Sequence, residues 1–182
     1  MPADRLPSSP GAVLFACNFN RVRSPMAEAL LKLLVGTQVF VDSCGLQRAS
    51  ASSEAETGEA ETGEAEVSDA WAADPFAQAV MAELGGDLSQ HRPKTFDDLE
   101  DNSFDLVISL TPQAQHRAVE LARARAADIE YWPTPDPTLT EGSREARLAA
   151  YRQVRDALAQ RIAERFGPRA GVPIDLDPPS AL

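Results

Sequence analysis

The stretch VLFACNFNRVRSPMAEALLKLL, residues 13–34, carries three local signals in succession. Val13 to Ala16 form an apolar run short enough for a buried strand. Ser24-Pro25, ahead of an Ala/Leu-rich segment, reads as a helix start, because Ser can cap and Pro suits the first turn. Cys17 to Arg23 are then a strand-to-helix loop. The alternation continues along the chain, with strand signals at 12–16, 38–42, 105–110 and, more weakly, 128–131. Helix signals lie at 24–35, 74–84, 113–127 and 143–166, the last with Tyr151, Val154, Leu158, Ile162 and Phe166 in one apolar stripe. Strand-helix alternation predicts an α/β fold: a single domain with a four-stranded parallel sheet, helices on both faces and a ligand site at the C-terminal strand ends.

A loop in that position has a definite chemical character. Its N–H groups and the start of the next helix lack partners, so they suit an anion, and the helix dipole assists. These dipoles, with Arg21 and Arg23, favour the thiolate form of Cys17, the nucleophilic form. Arg23 adds a planar fork matched to two phosphate oxygens. With 15 arginines and two cysteines in 182 residues, a Cys-x5-Arg spacing arises by chance about one time in six. The preceding strand and the following Ser-Pro helix start are what make it specific.

CNFNRVRSPMAEA resembles the active-site loop of the low-molecular-weight protein tyrosine phosphatases, whose signature is Cys-x5-Arg-Ser followed by Pro-Met-Ala-Glu. The resemblance extends through DSCGL at 42–46, DPFAQAVMAELGGDLSQHRPK at 74–94, FDLVISLT at 104–111, WPTPDP at 132–137 and YRQVRDALAQRI at 151–162. It implies a phosphatase that passes through a phosphocysteine on Cys17. Arg23 and the amides of Asn18, Phe19, Asn20, Arg21, Val22 and Ser24 would hold the phosphate. Asp136 would protonate the leaving group and then activate water. It also implies that Ser24 donates to the thiolate, that Asn20 braces the loop, and that Ser43 and His91 support it from behind. No metal and no cofactor is called for. The expected partner is a phosphorylated protein or a small phosphomonoester.

The composition agrees with one soluble-type domain of 182 residues, 43% apolar and 25% charged. No apolar run is long enough to span a membrane, and MPADRLPSSP is polar rather than a signal sequence. Neither membrane nor nucleic-acid partners are expected. Two cysteines make no disulfide framework, and a reactive thiol fits a reducing, cytoplasmic setting. The net charge of −11 is local in origin: ten acidic residues and no Lys or Arg fall between Ala49 and His91. Most belong to EAETGEAETGEAE, residues 54–66, within an acidic low-complexity insertion of about 50–69 that is expected to be mobile and could meet a basic partner. Residues 1–10 and the Pro/Gly-rich 167–182 read as flexible ends around a domain at 11–166.

Several positions depart from the family pattern. Phe19 stands where the family usually has Gly, which predicts an altered loop shape if that site needs backbone freedom. Arg21 replaces a commonly apolar or small residue, Thr111 a commonly acidic one, and Thr138-Leu139 follow the acid where eukaryotic members carry aromatics. Asp136 is also strong turn chemistry in TPDPT, and Cys44 is either a small core residue or a thiol able to cap oxidised Cys17. Trp71 and Trp132 fit either core or pocket rim, and His116 reads as structural or exposed. Competing functions are an atypical arsenate reductase, which in this fold uses two further cysteines, and a non-catalytic phosphate-binding scaffold.

Overall fold

The computed structural model describes residues 10–49, 71–100 and 103–167. The elements in chain order are β1 (Ala12–Cys17), α1 (Arg23–Val35), β2 (Phe40–Gly45), α2 (Pro75–Ala82), β3 (Leu106–Ser109), α3 (Pro112–Ala124), β4 (Asp128–Tyr131) and α4 (Arg144–Phe166). Single 3-10 turns occur at Phe96–Asp98 and Pro137–Leu139. The strands form one sheet in the order β2-β1-β3-β4, and every pairing is parallel.

Alternating side chains of β1 feed two cores. Val13, Phe15 and Cys17 face α1, α2 and α4, where they meet Met26, Leu31, Val80, Met81, Tyr151 and Leu158. Leu14 and Ala16 face the opposite side, against Cys44, Val107 and the α3 residues Ala114 and Ala118. Helices therefore cover both faces, and each fully buried large apolar side chain contributes about 1.5–3 kcal/mol. Chain order reverses at β1, because β2 lies on one side of it and β3 on the other. The crevice beyond the end of β1 is the switch point where such sheets take ligands, and Cys17 ends β1.

Helix starts follow their capping residues. Asp74 accepts from the amides of Phe76 and Ala77, Thr111 from Ala114, and Ser143 from Ala146. The helix α1 differs from expectation, since it begins at Arg23 after Val22, which makes no side-chain cap. Ser24 lies inside the first turn with its hydroxyl turned toward Cys17. The strand β2 also differs: the predicted 38–42 becomes 40–45, because pairing with β1 carries Ser43, Cys44 and Gly45 into the ladder. Ser and Gly are weak strand formers, so the local signal stopped early. The insertion, the first nine residues and the tail from 168 lie outside the described residues. Among the described residues no helix is long and apolar enough to cross a membrane.

Candidate active site

The loop after β1 is built around Asn20. Its φ of 55° makes it the non-glycine residue with positive φ among those described. Asn tolerates that region better than most residues, and here its polar atoms are consumed by the fold. The side-chain amide donates to Ser24 Oγ at 2.9 Å and to Ser43 Oγ at 2.8 Å, while Oδ1 accepts from the Lys94 amide at 3.0 Å. The Asn20 carbonyl accepts from His91 Nε2 at 2.8 Å. Segments from β2 and from the stretch after α2 thus converge on one loop residue. Phe19 is not in the positive-φ region, so the backbone freedom expected at that position is not required.

The glycine constraint sits instead at Gly45. A Cβ there would lie 2.8 Å from the Phe19 carbonyl carbon and 2.9 Å from the Asn20 amide nitrogen. The loop packs directly on the end of β2, and the amides of Leu46 and Gln47 bond the Asn18 carbonyl. Asn18 Oδ1 accepts from the Thr111 hydroxyl at 2.7 Å, which ties the loop to the start of α3.

Cys17 Sγ stands 3.0 Å from Ser24 Oγ and accepts from the Asn20 amide at 3.3 Å. A thiolate can only accept, so against it Ser24 is the donor. The Asn20 side-chain amide supports that orientation by donating to Ser24 Oγ, while the Cys44 carbonyl at 3.3 Å is the other acceptor within reach of the same hydroxyl proton. Behind the loop, Ser43 Oγ donates to Glu28 Oε2 at 2.5 Å, and Glu28 pairs with Lys32. The His91 pKa is lowered mainly by burial, against which the Asn20 carbonyl works. A carbonyl only accepts, so the neutral ring carries its proton on Nε2.

Arg23 is buried, with Nη1 on the Thr134 carbonyl at 3.2 Å and Nη2 on Asp136 Oδ2 at 3.1 Å. The other carboxylate oxygen of Asp136 accepts from the amide and hydroxyl of Thr138, at 3.0 and 2.7 Å. Asp136 is therefore a turn-capping residue through Oδ1 and the ion-pair partner of Arg23 through Oδ2. These groups border a cavity of about 510 Å³. Phe19, Arg21, Arg48, Asp74, Arg147 and Tyr151 complete much of its wall. Burial and the neighbouring Asp74 carboxylate, to which Tyr151 is hydrogen-bonded, raise its phenol pKa well above the usual value.

Cys44 is fully buried and lies on the α3 face, whereas Cys17 lies on the α1 face. Burial, with Cys17 and Asp42 as lesser causes, raises its thiol pKa well above the ordinary value. The geometry fits a small core residue rather than a cap for oxidised Cys17. Trp132 is buried core against Phe15, and Trp71 is exposed beneath the Arg48 guanidinium. Among the described residues, no group of three or more His, Cys, Asp or Glu is placed to hold a metal ion. Sequence reasoning missed Gly45, Glu28, Lys94 and Thr134. Each lies inside a segment that carries the resemblance, Glu28 in SPMAEA, Gly45 in DSCGL, Lys94 at the end of HRPK and Thr134 in WPTPDP, but none was singled out.

The parallel sheet, the loop at its switch point, and a cysteine and a buried arginine lining one cavity define a class of single-domain α/β proteins. Within it, the chain belongs to the low molecular weight phosphotyrosine protein phosphatase family, whose model matches residues 12–166. It is 28% identical over 152 residues to an arsenate reductase of Halalkalibacterium halodurans, covering 82% of this chain and 91% of that protein. Among solved structures, a mutant of YwlE from Bacillus subtilis is 26% identical with a TM-score of 0.58, covering 83% of this chain and 93% of that one. An arsenate reductase in the phosphate binding state is 26% identical with a TM-score of 0.57, covering 85% and 98%. A tyrosine phosphatase of Erwinia amylovora, 21% identical with a TM-score of 0.60 over 87% and 94%, shares the fold.

Proposed function

We propose that this chain hydrolyses phosphomonoesters, protein phosphotyrosine foremost, through a phosphocysteine on Cys17. The observation that carries the reading is that Arg23 and Asp136 meet at 3.1 Å on the wall of the same cavity that Cys17 lines. Cleaving a phosphate monoester takes a nucleophile, donors for the equatorial oxygens and an acid for the departing oxygen. In the proposed cycle the Cys17 thiolate attacks phosphorus, and the ester oxygen leaves with a proton from Asp136, which Asp136 takes up from solvent or from a phosphomonoester monoanion as substrate binds. Water then attacks the phosphocysteine, Asp136 takes the proton, and phosphate departs. Arg23 and the loop amides hold the phosphoryl oxygens throughout. Phe19, 39% exposed at the cavity, offers an aromatic face to a substrate ring in place of the aromatics absent at Thr138 and Leu139.

The likeness to arsenate reductases supports a second reading. A reductase cycle that closes on the protein's own thiols needs accessible cysteines beyond the nucleophile, and Cys44, the only other cysteine, is fully buried on the opposite sheet face. Arsenate reduction by this chain would have to draw its two electrons from external thiols, two of which end as a disulfide. The test is release of nitrophenol from para-nitrophenyl phosphate in EDTA, alongside thiol-dependent arsenate reduction. Turnover that Cys17→Ser abolishes is the expected result. Arsenate reduction without ester hydrolysis would replace the phosphatase reading.

A further inference from the structure

We infer that Arg21 is a positioning residue: its side chain holds the segment ahead of α2 against the loop after β1, and that segment aims the Val22 N–H at the phosphoryl group. This role deepens the phosphatase reading and rests on it.

Arg21 and residues 72–74 are joined at two points. Arg21 Nε donates to the Ala72 carbonyl at 3.2 Å, and the Asp74 amide donates to the Arg21 carbonyl at 3.0 Å. The segment itself has little room to drift. Ala73 is fully buried in the core and its carbonyl accepts from Gln78 Nε2 at 2.8 Å, while Asp74 caps α2 through the amides of Phe76 and Ala77. The Tyr151 phenol, from α4, is hydrogen-bonded to the same carboxylate.

A peptide unit is planar and trans, so the carbonyl of one residue and the N–H of the next point in opposite directions. Holding a loop carbonyl outward therefore turns the following N–H inward. The amides of Leu46 and Gln47 hold the Asn18 carbonyl in this way, and His91 holds that of Asn20. Asp74 holds the Arg21 carbonyl, which directs the N–H of Val22 into the loop, and Val22 lines the cavity beside Cys17 and Arg23. Here a loop side chain secures the very segment that supplies the donor. An apolar residue at position 21 would offer Ala72 no hydrogen bond. Arg21 thus acts through backbone geometry, and a charge without its Nε donor would not replace it.

Three variants separate geometry from charge. Arg21→Gln carries a nitrogen at the same bond separation from Cα as Nε, so it keeps the donor and loses the charge. Arg21→Leu keeps neither, and Arg21→Lys keeps the charge with a methylene where Nε stands. The isotope-labelled full chain is titrated with orthophosphate by amide NMR, and para-nitrophenyl phosphate hydrolysis is measured on the same proteins. In the wild type the Val22 amide proton is expected to move downfield on saturation. In Arg21→Leu and Arg21→Lys that movement should shrink at an unchanged melting temperature, and kcat/KM should fall about tenfold. The Phe19 amide, oriented by Leu46 and Gln47, should respond as before. Arg21→Gln should recover most of both losses. If Arg21→Leu melts early, the contrast between Arg21→Lys and Arg21→Gln decides alone. Losses in Arg21→Gln with Arg21→Lys close to wild type overturn the inference and assign the side chain to charge attraction. A Val22 amide unmoved by orthophosphate in the wild type, or three variants that match it, also overturn the inference. Ester hydrolysis with a Val22 response independent of residue 21 removes this role alone. A response that depends on Arg21 in a protein that hydrolyses no ester removes the phosphatase reading and leaves Arg21 positioning an anion site.

Discussion

Arg23 and Asp136, 113 residues apart in sequence, meet at 3.1 Å and hold one another at the mouth of the loop. The proposed phosphate-binding cation and the proposed acid are thus paired in the free protein. An entering phosphate has to share Arg23 with Asp136, and a carboxylate beside an incoming dianion repels it. Asp136→Asn is expected to lower the turnover rate about 10²-fold or more while tightening orthophosphate binding several-fold. Steady-state kinetics with orthophosphate as inhibitor reads both. Parallel weakening of binding and rate would refute the sharing. Arg23→Lys keeps the charge but loses the fork, and should reduce kcat/KM by at least 10²-fold.

Asn20 separates strain from hydrogen bonding. Asn20→Ala removes the bonds to Ser24, Ser43 and Lys94 and leaves a non-glycine residue at positive φ, for an expected loss of about 2–4 kcal/mol in urea unfolding. Asn20→Gly relieves the backbone and loses the same bonds, so it should recover about 1 kcal/mol of that loss. Equal stability of the two variants would show that the backbone there is unstrained.

At Gly45 the constraint is steric. Gly45→Ala places a methyl against backbone atoms at 2.8–2.9 Å, which can yield only if the loop moves. Activity should fall at least tenfold, since small displacements of positioned groups are costly. A fully active Gly45→Ala protein would mean that the loop position does not matter.

Two groups make separable contributions to the pH dependence of stability. His91 is held below its ordinary value, so between its folded pKa and about 6.5 the unfolded chain binds the extra proton. Stability should therefore fall as pH drops below about 6.5, and His91→Gln should flatten that slope. Arg152 and Arg155 hold the Glu83 carboxyl at about 2, below its ordinary 4.5. Its contribution is complete above about 4.5 and lost as pH falls through about 2, and Glu83→Gln should remove that acid limb. Chemical denaturation at a series of pH values measures both slopes.

Oxidation distinguishes the two thiols. Because Cys17 and Cys44 face opposite sides of the sheet, peroxide should give sulfenic acid or mixed disulfides on Cys17 and no Cys17–Cys44 bridge. Peptide mapping without reductant checks this, and a bridged peptide would contradict the assignment.

The order of strands and helices, the loop after β1 and the candidate roles of Cys17, Arg23 and Asp136 were legible in the chain itself. The elements and the loop rest on local signals, an apolar run, Pro-marked helix starts, and a cysteine and an arginine at fixed spacing, whereas the role of Asp136 rests on the family resemblance, since TPDPT by itself reads as a turn. The tail of β2 was not legible, because Ser43 and Gly45 join the ladder through pairing with β1 rather than through propensity. Tertiary structure alone decided that Ser24 would not cap its helix, which leaves its hydroxyl for the bond to Cys17 that the resemblance implied, and that the need for glycine falls on residue 45 rather than 19. It also decided that Cys44 faces away from Cys17, and that arginines from three segments close around one cavity. Each depends on which distant backbone or side chain arrives beside the loop, and spacing along the chain does not encode that arrival.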